Sequence, residues 1–475
     1  MTGPGRAEAK SKSSTGESDP MSLKILKFGG TSVGSPEAVR LAVSIIQSEL
    51  PHGGVVVVSA LSGTTDRILE AIAAAARGEV ERSRELHQAL WTRHGAMATS
   101  LLLGPELERI WKPLFERLAG LLEGMGLLWE ATPRAKDAAL AIGETLSAHL
   151  VTALLNASEV QASFLDVREV MLTDGRHGRA RPRLGELRRT SLPWSEAVKA
   201  GRVVVTQGFL GQAPDGATTT LGRGGSDTSA TLLGEAMGAD EVQIWTDVDG
   251  VLTADPSLVP AARPIPVMSL EEASALSAFG AKVLHADSLA PVARAGFRLV
   301  VANTHRPEAS RTAILREAPG RRPGQITSVA YKEGLACLRF PPERELETLL
   351  PSIVQLQEAG AVRYGLLSTP EGSLLVVRPE SPAASAAIEQ LREAGVAIEQ
   401  GWCVVALVGD GLHRDHGACQ RILAGLQDEA IAGILAGGTG ISLAFLVREE
   451  RLRTLIPRLH QAYVLGIEPS PSPIG

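Results

Sequence analysis

Two glycine-rich turns carry the side chains whose types and spacing could perform chemistry. The first, Gly29-Gly30, directly follows an apolar strand-like segment and comes shortly before Ser35-Pro36, a typical start of a helix. Lys27 stands just before these glycines. Glycines at the carboxyl end of a strand let phosphate oxygens approach backbone N–H groups near a helix N-terminus. We therefore predict a phosphate-binding turn that Lys27 also reaches, although the spacing is not that of a Walker A loop.

The second turn, GRGGSD at Gly222–Asp227, opens another predicted helix. It places Arg223, Ser226 and Asp227 beside a second helix N-terminus, and the planar guanidinium of arginine suits a carboxylate. Two such turns in one domain suit an anion-rich pair of substrates, such as nucleotide phosphates and an acidic acceptor. The alternative is an ordinary hairpin-to-helix turn in which Asp227 only caps the helix.

Two further segments hold polar residues that a nucleotide could use. Thr246-Asp247 ends a strand-like run, although the Asp-Gly pair that follows is also common in ordinary turns. Lys282 lies in the sequence FGAKVLH, Phe279–His285, which we predict to be helical, and a solvated lysine is the simplest interpretation there. The histidines show no metal-ligand spacing, so we predict no protein-bound metal.

The pattern between Leu23 and about Leu315 predicts the scaffold that positions these turns. Apolar strand-like runs alternate with helical segments, and the run Val55–Ala60 is apolar apart from Ser59, as in a strand buried on both faces. Ser269 with Glu272 forms a capping box that opens one of the helices. This alternation predicts an α/β fold with a largely parallel sheet covered by helices on both faces.

A Pro-, Gly- and Arg-rich linker at Arg316–Gln325 separates this region from shorter units. Beyond it the chain reads β-α-β-β-α twice, an approximate repeat of about 75 residues. We therefore predict four segments: a disordered extension at 1–22, a catalytic domain at 23–318, and two small α/β modules at 325–398 and 399–475.

Composition excludes several classes of protein. The chain has 475 residues, a formal net charge of −6 and 4% aromatic residues, which argues against a nucleic-acid-binding protein. Three cysteines without CxxC spacing fit a reducing cytoplasm, where we expect them to act as buried apolar residues. Glycines interrupt the uncharged stretch Ala430–Val447, so we predict two strands there and no membrane span.

Taken together, the motifs resemble the aspartate kinase family. They occur in the family's order across most of residues 24–315, and the tail is similar to the family's tandem ACT modules, the first of them degenerate. The motifs are LKFGGTSV in the Leu23–Val33 region, VVSALSGTTD at Val57–Asp66, GETLSAHL at Gly143–Leu150, TTTLGRGGSDTSA at Thr218–Ala230, WTDVDGVLTADP at Trp245–Pro256, and FGAKVLH.

The resemblance implies a three-layer α/β/α amino-acid-kinase sandwich with two C-terminal ferredoxin-like ACT modules. It also implies transfer of the ATP γ-phosphate to the β-carboxylate of L-aspartate, with Mg²⁺ bound to the nucleotide. Lys27 and Asp227 would be catalytic. Acceptor binding is implied for Ser59, Thr65, Glu144, Arg223 and Ser226, and nucleotide binding for Lys27, Phe28, Gly29, Gly30, Thr246, Asp247, Leu252, Ser257, Lys282 and Val283.

Some positions depart from the family's pattern. Leu252 stands where the family usually has an aromatic residue, and Ser257 where it usually has an arginine. The ACT modules depart further, so the resemblance leaves open whether lysine or threonine acts there as an effector. Such modules usually pair across a dimer, and we expect a homodimer or a higher oligomer.

Two alternatives to an aspartate kinase remain at this point. One is a related kinase for glutamate, acetylglutamate or a nucleoside monophosphate. A guanidinium for a carboxylate, from Arg223, together with a carboxylate for an ammonium, from Glu144, favours a free amino acid over a nucleotide acceptor. The other is a non-catalytic ligand sensor that keeps the ACT pair. The presence of Lys27 and Asp227 argues against it.

Overall fold

The computed structural model describes residues 22–280, 284–342, 345–359, 361–369, 372–379, 381–436 and 440–466. The predicted N-terminal extension, apart from its last residue, lies outside the described residues. Two candidate nucleotide-binding residues, Lys282 and Val283, lie outside them as well.

The N-terminal body is built on one large sheet and one small hairpin. Its strands are β1 Lys24–Phe28, β2 Gly54–Val58, β3 Ala162–Phe164, β4 Val203–Gln207, β5 Leu210–Gln212, β6 Thr218–Thr220, β7 Glu241–Thr246, β8 Val267–Ser269, β9 Arg298–Asn303 and β10 Thr312–Leu315. In the described part of the chain, eight of them form a sheet in the order β3-β4-β2-β1-β7-β9-β10-β8. All neighbours pair in parallel except β9 and β10, and β5 and β6 form a separate antiparallel hairpin.

Helices cover both faces of this sheet. They are α1 Pro36–Glu49, α2 Thr64–Ala76, α3 Val80–Ser100, α4 Gly104–Leu128, α5 Pro133–Ala157, α6 Leu184–Thr190, α7 Leu192–Lys199, α8 Gly225–Met237, α9 Leu270–Ala278 and α10 Ala286–Ala295. Alternate strand residues enter different cores: Ile25 and Val55 pack on one side, Leu26 and Val56 on the other. Because both faces of β2 are buried, its continuous apolar run is explained, and the predicted three-layer sandwich is confirmed.

One helix, α5, is long and apolar enough to cross a membrane by length and composition alone. Of its most apolar window, 78% is buried inside the protein. It packs against α4, α2 and several strands of the large sheet. Packing within the core of the N-terminal body therefore explains why α5 is so apolar.

The C-terminal region contains a second, fully antiparallel sheet. Its elements are β11 Ser328–Phe340, α11 Glu345–Glu358, β12 Ala361–Thr369, β13 Gly372–Pro379, α12 Pro382–Glu393, β14 Ala397–Val408, α13 His416–Ala424, β15 Gly433–Ala436, β16 Ser442–Arg448 and α14 Leu452–Leu459. Among the described residues, the strand order is β12-β13-β11-β14-β16-β15. β15 and β16 confirm the two strands predicted in place of a membrane span.

Two long strands are shared between the two β-α-β-β-α units. The second half of β11 pairs with β13 and with the start of β14, whereas its first half, from Ser328 to Lys332, pairs with the end of β14. That end of β14 in turn pairs with β16. Each unit thus completes its four strands with half of a strand from the other. β14 also runs through residue 398, and the predicted division at that point stays a prediction.

The helix predicted across Phe279–His285 is wrong for the described ends of that segment. α9 ends at Ala278, and His285 is the N-cap of α10. Gly280 has a φ of +97°, and a Cβ there would lie 2.7 Å from Cδ of Lys332 on β11. The left-handed Gly280, just past the C-cap Phe279, is a common way for a helix to end, and the close approach of β11 leaves no room for a side chain there.

Two of the three cysteines fit the prediction of buried apolar residues. Cys337 and Cys403 are buried in β11 and β14. Burial raises the pKa of each thiol to about 12, so neither side chain is a thiolate at neutral pH. Cys419, on α13, is half-buried.

Candidate active site

The first glycine turn lies where three adjacent parallel strands end. The Gly29 N–H donates to the carbonyl of Trp245 on β7 at 3.1 Å, and the Ser59 N–H after β2 donates to the carbonyl of Phe28 at 3.1 Å. A Cβ on Gly30 would lie 3.0 Å from the Ala60 carbonyl oxygen. The turn is therefore held between the ends of β2 and β7, and a side chain at Gly30 would crowd the Ala60 carbonyl.

The second glycine turn brings a carboxylate to the first. Lys27 Nζ lies 2.6 Å from Asp227 Oδ1, and Lys27 is 7% exposed. Asp227 is in the first turn of α8, which has no side-chain cap and starts after Gly224. Gly224 has a φ of +67°, and a Cβ there would lie 2.4 Å from Cβ of His285. Only glycine fits this point, and its turn directs the start of α8 toward Lys27.

A buried carboxylate without a cation lies beside the same strand ends. Glu144, in the middle of α5, is 4% exposed, and its Oε1 accepts a long 3.5 Å hydrogen bond from the Ala60 N–H. Its Oε2 is buried and has no hydrogen-bond partner among the described residues. Burial raises the pKa of Glu144 from 4.5 to about 7. A bound cation, such as an ammonium group, would relieve this cost.

The other predicted acceptor residues occupy neighbouring positions. Ser59 follows β2, and its carbonyl accepts a 2.5 Å hydrogen bond from Ser147 of α5. Thr65 is half-buried in the first turn of α2. Ser226 packs against Gly208 at the end of β4, where an added Cβ would lie 2.6 Å from the serine Cβ. Arg223 is exposed in the turn between β6 and α8.

The predicted nucleotide residues begin at the end of β7. Thr246 Oγ1 donates to Asp247 Oδ1 at 3.2 Å, and the Thr246 carbonyl accepts from the Thr304 N–H at 2.8 Å. Asp247 is exposed. Thr246 and Asp247 therefore lie at the same sheet edge as the glycine turn.

Leu252 and Ser257 lie further along the loop after β7. Leu252 is half-buried and forms an isolated antiparallel β-bridge with Pro264. Ser257 uses both its N–H and its hydroxyl to contact Asp255 Oδ1, at 2.9 and 2.6 Å. The hydroxyl of Ser257 is thus engaged within its own turn.

The loop that carries these two residues is anchored to the C-terminal sheet. The Val329 N–H of β11 donates to the Thr253 carbonyl at 2.9 Å. Thr253 Oγ1 lies 2.8 Å from His460 Nε2, and Tyr331 OH donates to Asp255 Oδ2 at 3.0 Å. Burial, with Asp255 as hydrogen-bond partner, raises the pKa of Tyr331 to about 12, so the phenol remains a donor.

Sequence reasoning missed two residues that shape the site. Phe209 has a φ of +72°, its N–H donates to Ser229 Oγ at 2.9 Å, and its ring packs against Gly225 at the start of α8. Its position between glycines after a strand was the available signal. Asp137 is 1% exposed and has no local sequence signal.

Asp137 joins the start of α5 to the strand that leads into the second glycine turn. Its carboxylate accepts from Thr220 Oγ1 at 2.7 Å and from the N–H groups of Thr220 and Gly178 at 3.2 and 3.0 Å. The His177 ring lies 2.9 Å away through Nδ1. This cluster fixes the strand that leads into the Arg223 turn.

The arrangement defines a class of phosphotransferase. Backbone N–H groups and a buried lysine can neutralise phosphate charge, while a guanidinium and an uncompensated carboxylate can hold an amino acid nearby. The open ends of parallel strands are where such α/β folds bind their ligands.

Comparison with known proteins places the chain within that class. Residues 22–303 match the model of the amino acid kinase family. Lysine-sensitive aspartokinase 3 of Escherichia coli is 30% identical over 92% of this chain and 98% of its own length. The aspartokinase of Chlamydia muridarum is 34% identical over 94% of this chain and 98% of its own length. The chain belongs to the amino acid kinase family and, within it, to the aspartokinases.

Solved structures agree over more than nine-tenths of this chain. A structure of E. coli aspartokinase III in complex with aspartate and ADP, described as the R-state, superposes with a TM-score of 0.80 at 29% identity. It covers 92% of this chain and 99% of its own. A T-state structure of the same protein with lysine and aspartate has a TM-score of 0.77 at 28% identity. The likeness therefore includes the C-terminal sheet and supports its assignment to ACT modules.

Proposed function

We propose that this chain transfers the γ-phosphate of ATP to the β-carboxylate of L-aspartate, giving ADP and 4-phospho-L-aspartate, the entry step to lysine, threonine and methionine. The observation that carries the proposal is Glu144, a buried carboxylate beside the strand ends that hold the Lys27–Asp227 pair. One of its oxygens has no hydrogen-bond partner in the part of the chain that the structure describes. An α-ammonium group is the cation that an amino-acid acceptor brings.

Lys27 and the glycine turn serve the transferring group. Lys27 Nζ stabilises the negative charge that spreads over the phosphoryl oxygens in the transition state, and the backbone at Gly29 and Gly30 approaches the phosphates. Asp227 holds the ammonium of Lys27 at 2.6 Å and so fixes its position. The β-carboxylate oxygen attacks phosphorus as the bond to the ADP oxygen breaks, so no proton needs to be removed from the nucleophile.

The acceptor lies between α5 and the second glycine turn. Arg223 binds the α-carboxylate through its planar fork, and Glu144 receives the α-ammonium. Ser59, Thr65 and Ser226 bind the end that carries the β-carboxylate. Holding both ends of a short amino acid fixes the distance from its nucleophilic oxygen to the phosphate.

The nucleotide lies along the ends of β1 and β7. Phe28 flanks the turn, and the remaining proposed contacts are Thr246, Asp247, Leu252, Ser257, Lys282 and Val283. Mg²⁺ would be held together with ATP, and the exposed carboxylate of Asp247 would suit a metal that keeps mostly water and phosphate oxygens as ligands. When bound, this ion neutralises phosphate charge.

We also propose how the protein is regulated and where it works. The T-state structure of E. coli aspartokinase III contains lysine, and we expect lysine or threonine to act as an effector at the ACT modules of this chain. We propose a homodimer or higher oligomer and a cytoplasmic location, with no nucleic-acid or membrane partner.

A hydroxylamine trap tests the activity. Acyl phosphate made from ATP, Mg²⁺ and L-aspartate reacts with hydroxylamine to give a coloured hydroxamate, and L-glutamate serves as the alternative acceptor. We expect hydroxamate with aspartate and its loss in Lys27→Ala. Lys24→Ala, on the same strand, is the matched control and retains activity. A folded wild-type protein that makes no hydroxamate with aspartate would contradict the proposal.

A further inference from the structure

A second cleft lies on the N-terminal body, away from the glycine turns. Its volume is about 520 Å³, within the range of sites for small ligands. The cleft is formed by α4, the start of α5, the segment after β3 and the β5–β6 hairpin. Its lining residues include Arg117, Arg134, Asp166, Arg168, Glu169 and Asp215.

The cleft is separate from the candidate active site. Arg134 and Glu144 lie on the same helix, α5, ten residues apart in sequence. At the rise of an α-helix, this corresponds to about 15 Å along the axis. A small molecule bound beside Arg134 would therefore not contact Glu144.

The charges that line the cleft are balanced, with three arginines and three carboxylates. Four of these groups already pair: Arg168 binds Asp166, and Arg134 Nη1 lies 2.7 Å from Asp215 Oδ2. Arg168 also donates to Thr218 Oγ1 at 3.0 Å, which ties it to the hairpin.

Two side chains of opposite charge remain open. Within the described ranges, Arg117 on α4 and Glu169 after β3 form no side-chain hydrogen bond or ion pair, and both are exposed. Glu169 acts on the neighbouring Arg168 through its charge alone. An arginine suits a carboxylate, and a glutamate suits an ammonium group. The open pair is thus complementary to a molecule that carries both charges.

We propose that this cleft binds a free amino acid as a zwitterion. The α-carboxylate binds Arg117, with Arg134 beside it, and the α-ammonium binds Glu169. A neutral ligand with separated charges leaves the balanced cleft electrically neutral, whereas a simple anion would leave the Glu169 carboxylate without a counter-charge. The polar lining gives the amino-acid side chain hydrogen-bonding partners and favours a polar residue.

Binding here would reach the active site through the hairpin. β5 and β6 line the cleft through Gln212 and Thr218, and β6 continues directly into the turn that holds Arg223. Thr220 at the end of β6 is fixed to Asp137 of α5. An occupant that joins Arg117 of α4 to Glu169 would restrict the neighbouring Arg168, whose hydrogen bond to Thr218 holds β6, the strand that leads to the acceptor-binding arginine.

Calorimetry on the full-length protein tests the proposal, with each of the protein L-amino acids titrated singly. We expect at least one that binds wild type and binds both Arg117→Ala and Glu169→Gln at least tenfold more weakly. Arg84→Ala, which removes an exposed arginine on α3, is the matched control and leaves that affinity unchanged. Thermal melting of each variant establishes that it is folded.

Two outcomes would overturn the proposal. In the first, neither variant weakens the binding of any amino acid. In the second, inorganic phosphate binds wild type, loses affinity in Arg117→Ala and gains affinity in Glu169→Gln, while no amino acid responds. The cleft would then be a simple anion site. Binding of aspartate at the active site serves as an internal reference, because both substitutions lie in the cleft and leave Glu144 unchanged.

Discussion

Replacing Glu144 with glutamine should stabilise the free protein while impairing its activity. The carboxylate is buried next to the Ala60 N–H, with one oxygen unpartnered among the described residues. Such a group is costly to ionise without a bound cation. Glutamine has nearly the same shape and no charge, so the substitution removes the burial cost along with the proposed ammonium-binding group.

The magnitude follows from the pKa. Burial raises the pKa of Glu144 from 4.5 to about 7, so the native state holds this proton over about 2.5 pH units in which the unfolded chain has released it. The stability that the neutral form provides is complete below pH 4.5 and is lost as pH rises through 7. At 1.36 kcal/mol per unit, Glu144→Gln should be more stable than wild type by about 3 kcal/mol at pH 8 and by less than about 1 kcal/mol at pH 5.

Denaturant unfolding at these two pH values, followed by the fluorescence of buried tryptophans, measures the difference in stability between wild type and Glu144→Gln. The hydroxamate assay supplies the second half of the test. Losing one charge-assisted contact of about 2–3 kcal/mol should raise the aspartate KM about 100-fold in Glu144→Gln. In wild type, the aspartate KM should rise about tenfold for each pH unit below 7, as the carboxylate becomes protonated.

Three results would refute this reasoning. A Glu144→Gln protein that is less stable than wild type at pH 8 would mean that the carboxylate is compensated in the native state. A stability gap independent of pH would mean that the effect has a cause other than ionisation. An unchanged aspartate KM would remove Glu144 from the acceptor site. Glu130→Gln, at an exposed carboxylate before α5, is the control for the pH series.

Three further substitutions test the scaffold around the site. Gly224→Ala places a Cβ 2.4 Å from Cβ of His285 at a φ of +67° and should lower kcat at least tenfold; Gly238→Ala, with the same φ and open space, should leave kcat unchanged. Tyr331→Phe removes the hydrogen bond to Asp255 and should raise the ATP KM three- to tenfold with kcat within twofold. The control Tyr463→Phe should change neither value. An ATP KM equal to that of wild type in Tyr331→Phe would mean that this hydrogen bond to β11 does not position the loop for ATP. Asp137→Asn should lower the free energy of unfolding by about 2–3 kcal/mol in urea titrations, because a buried carboxylate that accepts several hydrogen bonds is lost. The control Asp215→Asn, at an exposed carboxylate, should lower that free energy far less.

The sequence predicted those elements that depend on interactions between residues close together in the chain. Ser35 caps α1 by accepting from the Ala38 N–H, and Ser269 with Glu272 forms the predicted capping box. The buried run in β2 and the two strands β15 and β16 were predictable from apolar patterning and glycines. These features depend on residues within a few positions of one another, so one chain suffices to recognise them.

Features set by contacts between distant segments were not predictable. The packing of β11 against Gly280 and the pairing of Ser328 with Val408 both join residues far apart in the sequence. In the site, the family resemblance already implied that Asp227 organises Lys27, and the fold brings their charges to 2.6 Å. Asp137 looks like any helical carboxylate until Thr220 folds onto it. The roles of the site residues in binding stay predictions.

The sharing of β11 and β14 has a consequence for synthesis and inheritance. The first half of β11 leaves the ribosome well before β14, its partner, so the sheet cannot close until residues 397–408 have been made. Such delayed closure slows folding because a long loop must be ordered first. Deleting either β-α-β-β-α unit would also remove half a strand from the other. The two units are therefore expected to be gained or lost together, as one piece, despite their separate appearance in the sequence.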